Sequence, residues 1–165
     1  MQVGGLATLV TAMETMARQA IEERNHSAVD RLRALGVRLS DEELTRPIDP
    51  PWTASALFAH VAFWDRFVEA RWLLAARTGR RTPLDLDDAL LELINDASLQ
   101  QWSAVPPRTA VQDCLAAGEE LDALIATLEP DVVSKVVLAR RERLVDRSLH
   151  RGEHLDTIET AFPAR

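Results

Sequence analysis

Tyrosine is absent from this 165-residue chain, and cysteine and lysine occur once each, at Cys114 and Lys135. Without tyrosine, no phenol can act as acid, base or oxyanion donor. A lone cysteine excludes an internal disulfide and a cysteine-based zinc site. No run approaches the roughly 18 apolar residues needed to span a bilayer. No window shows the strict alternation of a half-buried strand, and there is no internal repeat, low-complexity tract or linker. Basic charge is also scarce: 26 acids face 19 bases, for a net charge of −7. Such a chain repels nucleic acid and anionic membranes unless its bases cluster. The short clusters Arg80-Arg81 and Arg140-Arg141-Arg143 have no interleaved aromatic and read as turn and helix-start charges. The stretch Met1 to Met13 has no basic start, and Glu14 and Arg18 soon interrupt it, so it does not read as an export signal. With one free thiol, the expected compartment is the cytoplasm.

What is present suits a globular domain: 47% hydrophobic and 27% charged residues. A chain of this length buries roughly 68–70% of its unfolded surface without help from metal or disulfide. One domain over residues 1–165 is expected. Thr8 to Leu35 carries neither proline nor glycine and predicts a long first helix, with Gly36 as its C-cap. Ser40 with Glu43 three residues on has the shape of a capping box opening a short turn. Pro47, Pro50 and Pro51 predict a loop. Thr53 is the expected N-cap of a second helix ending near Thr78, before Gly79. Asp85 to about Trp102 predicts a shorter helix, broken by Pro106 and Pro107. A third long helix is expected from about Thr109 to Leu128, stopped by Pro130. The last begins between Val133 and Arg143 and ends before Pro163. The expected fold is all-α, a four-helix bundle with an extra short helix in the connection between the second and third helices.

At 100° per residue, Leu57, Val61, Trp64, Phe67 and Val68 share one face of the second helix, with Asp65, Arg66, Glu69 and Arg77 opposite. His60 lies on the apolar face, one turn from Trp64. Alone it would read as a core histidine with one satisfied nitrogen. His150 and His154 stand four apart on the last helix, so both imidazoles can reach one metal. A histidine inward on one helix and a helical pair on another can converge inside a bundle, where metal sites are commonly built. Arg147 and Arg151 lie between that pair and the apolar stripe of Leu144, Leu155, Ile158 and Phe162. There they can meet an anionic ligand, or a permanent acid partner such as Asp146, Glu153, Asp65 or Glu69. Arg71, below His60, is a further candidate for an anion, and Trp64 for a substrate contact. His26 reads as surface, and Cys114 as an inert core thiol.

The stretch Asp41 to Leu44, then Trp52-Thr53-Ala54-Ser55-Ala56-Leu57-Phe58-Ala59-His60-Val61-Ala62-Phe63-Trp64, resembles the DinB/YfiT-like superfamily. So does the ending His150-Arg151-Gly152-Glu153-His154-Leu155-Asp156-Thr157-Ile158. The resemblance covers most of residues 17–162. It implies a four-helix bundle with a divalent metal, often nickel or zinc, on His60, His150 and His154. It also implies relatives that transfer low-molecular-weight thiols, the mycothiol-dependent maleylpyruvate isomerases being similar. The chain departs from the pattern in its N-terminal extension, Met1 to about Met16, and in lacking the second domain of some isomerases. A metal-dependent enzyme with a small, anionic substrate and a small-thiol cofactor is expected, as a homodimer, with no nucleic-acid or membrane partner. The alternatives are a metal-stabilised binding or stress-response module without turnover, and a structural homodimer lacking metal.

Overall fold

The structure is a computed structural model that describes residues 3–164, with side chains from Thr8 onward. Met1 and Gln2, the start of the expected extension, lie outside the described residues. The elements run α1 (Val3–Arg38), α2 (Asp41–Thr45), β1 (Pro47–Asp49), β2 (Trp52–Thr53), α3 (Ala54–Arg77), α4 (Asp88–Ala104), α5 (Pro107–Ala126), α6 (Pro130–Leu138) and α7 (Ser148–Ala161). A 3-10 turn, Glu142–Leu144, precedes α7. Four helices make the bundle: α1 packs on α5 and α7, and α3 packs on the same two. Around the bundle the order is therefore α1, α5, α3, α7. The expected short helix is α4, lying against α3.

Local chemistry sets several boundaries. Ser40 Oγ accepts the Glu43 amide while the Glu43 carboxylate accepts the Ser40 amide, the reciprocal capping box. Thr53 Oγ1 accepts the Ala56 amide at 3.1 Å and opens α3. Gly79, at φ +68°, takes the left-handed conformation just past the end of α3. The apolar stripe from Ala54 to Ala62 is buried on nearly every side, because α2 and the β1–β2 ribbon cover the face that α5 leaves open.

Elsewhere the structure departs from expectation. The Pro47–Thr53 loop contains an antiparallel two-stranded ribbon turning at Pro50-Pro51. Pro107 and Pro130 each start a helix, since proline lacks only an amide that a first turn leaves unbonded. The segment after Pro130 is a separate short helix, and the last bundle helix begins only at Ser148. Gly36 is not a C-cap, for α1 continues through it to Arg38. A Cβ there would collide with Val111 Cγ1, so the glycine serves the close approach of α1 and α5.

The interior divides into two apolar clusters. One gathers Leu32, Leu35, Phe58, Trp102, Cys114, Leu155 and Ile158. The other gathers Ile21, Val68, Trp72, Leu121, Ile125, Val133 and Leu144. Between the two clusters each bundle helix, or the segment leading into it, supplies a polar residue: Asn25, Asp65, Asp122, and Arg147 with Arg151. These form a charged layer across the middle of the bundle.

Candidate metal centre

Arg151 occupies the centre of that layer with no exposed surface. Its Nε donates to Asp65 Oδ2 at 2.8 Å, its Nη1 to Asp122 Oδ2 at 3.0 Å and to the Asn25 carbonyl at 3.3 Å. Its Nη2 donates to the Gly118 carbonyl at 3.2 Å. One α7 side chain thus touches α1, α3 and α5. Asp65, expected on the outer face of α3, is fully buried because its second oxygen accepts Arg147 Nε at 2.8 Å. Arg151 does not line the cavity described below, which corrects its expected place at a ligand. Arg147 does line it, but with its donors committed: Nε to Asp65, Nη1 to the Arg143 carbonyl at 2.7 Å and Nη2 toward His150 Nδ1 at 3.1 Å. The permanent acid partner, weighed as an alternative for both arginines, is Asp65.

The charged layer positions α7 as well as holding it. Asn25 Oδ1 accepts the Ser148 amide at 3.0 Å, bonding the first turn of a helix whose own N-cap residue offers no side-chain bond. Asn25 Nδ2 donates to the Val145 carbonyl at 2.8 Å. The turn that follows carries His150 and His154 inward.

There the three inward histidines meet. His60 Nε2 stands 3.2 Å from His150 Nε2, which stands 3.3 Å from His154 Nε2. All three ligand nitrogens lie within 4.8 Å of one another, and the group can hold a metal ion. Nitrogens about 2.0–2.1 Å from a tetrahedral metal lie roughly 3.3 Å apart, so the two spacings to His150 fit. The hydrogen bonding points the same way. A guanidinium has no lone pair, so the Arg147 contact puts the His150 proton on Nε2. The cluster of three Nε2 atoms then shares one proton, while His60 Nδ1 is buried without a partner. A cation satisfies this arrangement better than one hydrogen does. A metal on His150 Nε2 requires the ring proton on Nδ1. The metal and the Arg147 contact therefore exclude each other.

Burial pushes the His60 imidazole down to about 3, with His154 and Arg147 adding to the effect. Burial also drives His150 well below its usual range, with Arg147 the next cause, and lowers His154. All three rings are neutral near pH 7, the state that coordinates. Trp102 and Trp52 present T-shaped contacts to His60 at 4.7 and 5.5 Å, fixing its ring. Trp64 Nε1 donates to Asn95 Oδ1 at 2.9 Å and fastens α4 beside the site.

A cavity of about 720 Å³ opens on the triad. Trp64, Val68 and Leu57 contribute apolar wall; Arg71, Arg140, Arg141, Arg143 and Arg147 contribute positive charge. Arg143 pairs with Glu153, and Arg141 Nε with Asp85 at 2.6 Å. Trp72 lies away from the triad in the second apolar cluster, its Nε1 on the Leu144 carbonyl. Of the other residues singled out, His26 is exposed, near Asp30, and Cys114 is buried, where desolvation pushes its thiol up.

The sequence reading names Asp65 among the possible acid partners but places it on the outer face, and it gives no role to Asn25 or to the Trp52 ring beside His60. Helical periodicity assigns a lone acid outward, and only the paired arginines at the start of the last helix hint otherwise. No helix among the described residues is long and apolar enough to cross a membrane. Searches of curated proteins and of solved structures return no match. The family model described as mycothiol maleylpyruvate isomerase N-terminal domain matches residues 26–152, a span that includes His60 and His150 and ends just short of His154. Matched over most of its length and folded as an all-α, DinB/YfiT-like bundle, the chain belongs to the mycothiol maleylpyruvate isomerase N-terminal domain family.

Proposed function

We propose that this chain is a divalent-metal-dependent enzyme that joins a low-molecular-weight thiol to a small electrophile, at least one of the two carrying a carboxylate, with His60, His150 and His154 holding the metal. The observation that carries this reading is the convergence of three Nε2 atoms at the wall of an open cavity. Three neutral imidazoles would leave a divalent ion, zinc or nickel by the family resemblance, with its full charge and an open position, and would make a bound thiol or water more acidic. In the reaction the S–H proton leaves, a C–S bond forms at the electrophilic carbon, and that carbon's displaced electron pair ends on a leaving group or takes up a proton.

The chain's own residues have separate tasks. Trp52 and Trp102 fix the His60 ring. Trp64 and Val68 give the ligand an apolar wall, and Arg71 supplies a positive charge. A site sealed by Trp64, Phe67 and Trp72 would have favoured a non-catalytic module; the open cavity supports the enzyme instead. Family membership supports the small-thiol co-substrate.

Elemental analysis tests the reading. Wild type and His26→Ala should carry about one equivalent of zinc or nickel, and His60→Ala, His150→Ala and His154→Ala should lose it. Metal-loaded wild type should then consume thiol in the presence of an electrophile. Loss of metal in His26→Ala with retention in His150→Ala would overturn the ligand set.

A further inference from the structure

The cavity wall is unevenly neutralised. Two of its arginines, Arg141 and Arg143, have acids at ion-pair distance, and Arg147 has Asp65. Among the described residues Arg140 and Arg71 have none, and Arg140 is exposed. Arg71 is half-buried in α3, and its hydrogen bond within the protein runs from Nη2 to the Leu84 carbonyl at 2.5 Å. Asp85, the acid whose charge reaches it, is bonded to Arg141. The lining acids Asp49 and Asp88 are exposed at the rim. Burial and the neighbouring Arg141 both depress the Arg71 guanidinium, a sign of a cation held without its counter-charge. Holding a desolvated guanidinium beside a second cation is unfavourable unless an anion completes the site.

Its position relative to the triad follows from the helix. Arg71 is eleven residues beyond His60 on α3. That is about 16 Å along the axis and roughly 20° around it, so both side chains leave the same face of the helix. Trp64 and Val68 line the cavity between them. The floor is thus apolar, with the histidine triad at one end and a guanidinium without an acid at ion-pair distance at the other.

We propose that Arg71 is a carboxylate subsite, and that the ligand of this cavity is an elongated acid lying on Trp64 and Val68 with its carboxylate at Arg71 and its reacting group at the histidine triad. The carboxylate end stands on the Arg71 geometry; the identity of the other end as a thiol rests on the function proposed above. A guanidinium fork suits a carboxylate in two parallel bonds, and the Leu84 contact already orients the plane.

Calorimetric titration separates the two ends. Octanoate and octanol are titrated into protein stripped of metal by chelator. Mercaptooctanoate and mercaptooctanol, with the shorter mercaptopropanoate, are titrated into zinc-loaded protein. Wild type should prefer octanoate to octanol by ten-fold or more, and Arg71→Met should lose that preference. Arg66→Met, which alters an exposed arginine paired with Glu120, should keep it. On zinc-loaded protein, mercaptooctanoate should exceed octanoate, mercaptooctanol and mercaptopropanoate, because it alone engages both ends. Absence of acid preference in wild type overturns the subsite without any variant, and so does a folded Arg71→Met that retains it. If Arg71→Met does not fold, Arg71→Gln replaces it under the same criterion. A thiol that adds nothing to octanoate on zinc-loaded protein overturns the thiol assignment while the Arg71 preference stands.

Discussion

Arg151 Nε donates to Asp65 Oδ2 across 2.8 Å, and neither side chain has any exposed surface. The other Asp65 oxygen holds Arg147, which in turn touches His150. The stability of the bundle and the state of the triad therefore meet at one carboxylate.

Removing Arg151 strands Asp65 with half its partners and leaves Asp122 with none of its bonds from this side chain. Arg151→Met should lower stability by about 3–5 kcal/mol, the usual result of breaking a buried pair from one side. Urea unfolding checks it. A loss below about 1 kcal/mol would mean that the pairing contributes little.

Arg147→Met should act differently on metal. It removes the donor that holds the His150 proton on Nε2, and it removes a cation beside the site. Zinc affinity of the folded variant, read by chelator competition, should rise by about ten-fold, matching a charge-assisted hydrogen bond of roughly 1.5–3 kcal/mol no longer opposing coordination. Unchanged or weaker affinity would assign the contact to support of the ligand ring.

The histidines give stability an acid limb. Their folded values are lowered, so between about 6.5 and the folded value the unfolded chain binds protons that the folded chain does not. Stability is complete above about 6.5 and falls as pH drops, by about 1.4 kcal/mol per unit for each ring that stays neutral. For His60 the window extends to about 3. Denaturant melts between pH 7 and 4 on wild type and His60→Gln should show a shallower decline in the variant.

Two helix glycines should respond to alanine with opposite signs. At Gly36 the new methyl meets Val111, so the loss should be about 1–3 kcal/mol despite the better helix propensity. At Gly152 nothing lies within 4 Å of the new methyl, and stability should rise by up to about 1 kcal/mol. Thermal melts of the two variants decide.

Cys114 should be silent to thiol reagents in the folded chain. It is fully buried and its thiol is pushed upward by desolvation, so thiolate is scarce. Modification by an aromatic disulfide should proceed at the rate of unfolding and accelerate in urea.

Much of this was legible in the sequence because it is local. Ser40 with Glu43, Thr53 and Gly79 act within a few residues of themselves, and their effect on helix ends needs no tertiary information. The triad was legible because helical spacing alone puts His150 beside His154 and turns His60 inward. Asp65 was not, since its burial depends on two arginines more than eighty residues away. Gly36 was misread for the same reason: what it accommodates is Val111 on another helix. The late start of α7 follows from Asn25, a residue on α1 that bonds the Ser148 amide.

The charged layer also bears on how the helices find their order. Two greasy compartments joined end to end would tolerate many threadings, because Leu and Val contacts are nearly interchangeable between mis-assembled bundles. Arg151 is less permissive. Its bonds reach 126 residues back to Asn25, 86 back to Asp65 and 29 back to Asp122. An arrangement with α1 and α3 exchanged, or with α7 slid by a turn, leaves a guanidinium or a carboxylate in hydrocarbon with nothing opposite it. The layer thus penalises the wrong assemblies more than it strengthens the right one, and the register it selects is the one that brings three imidazoles together.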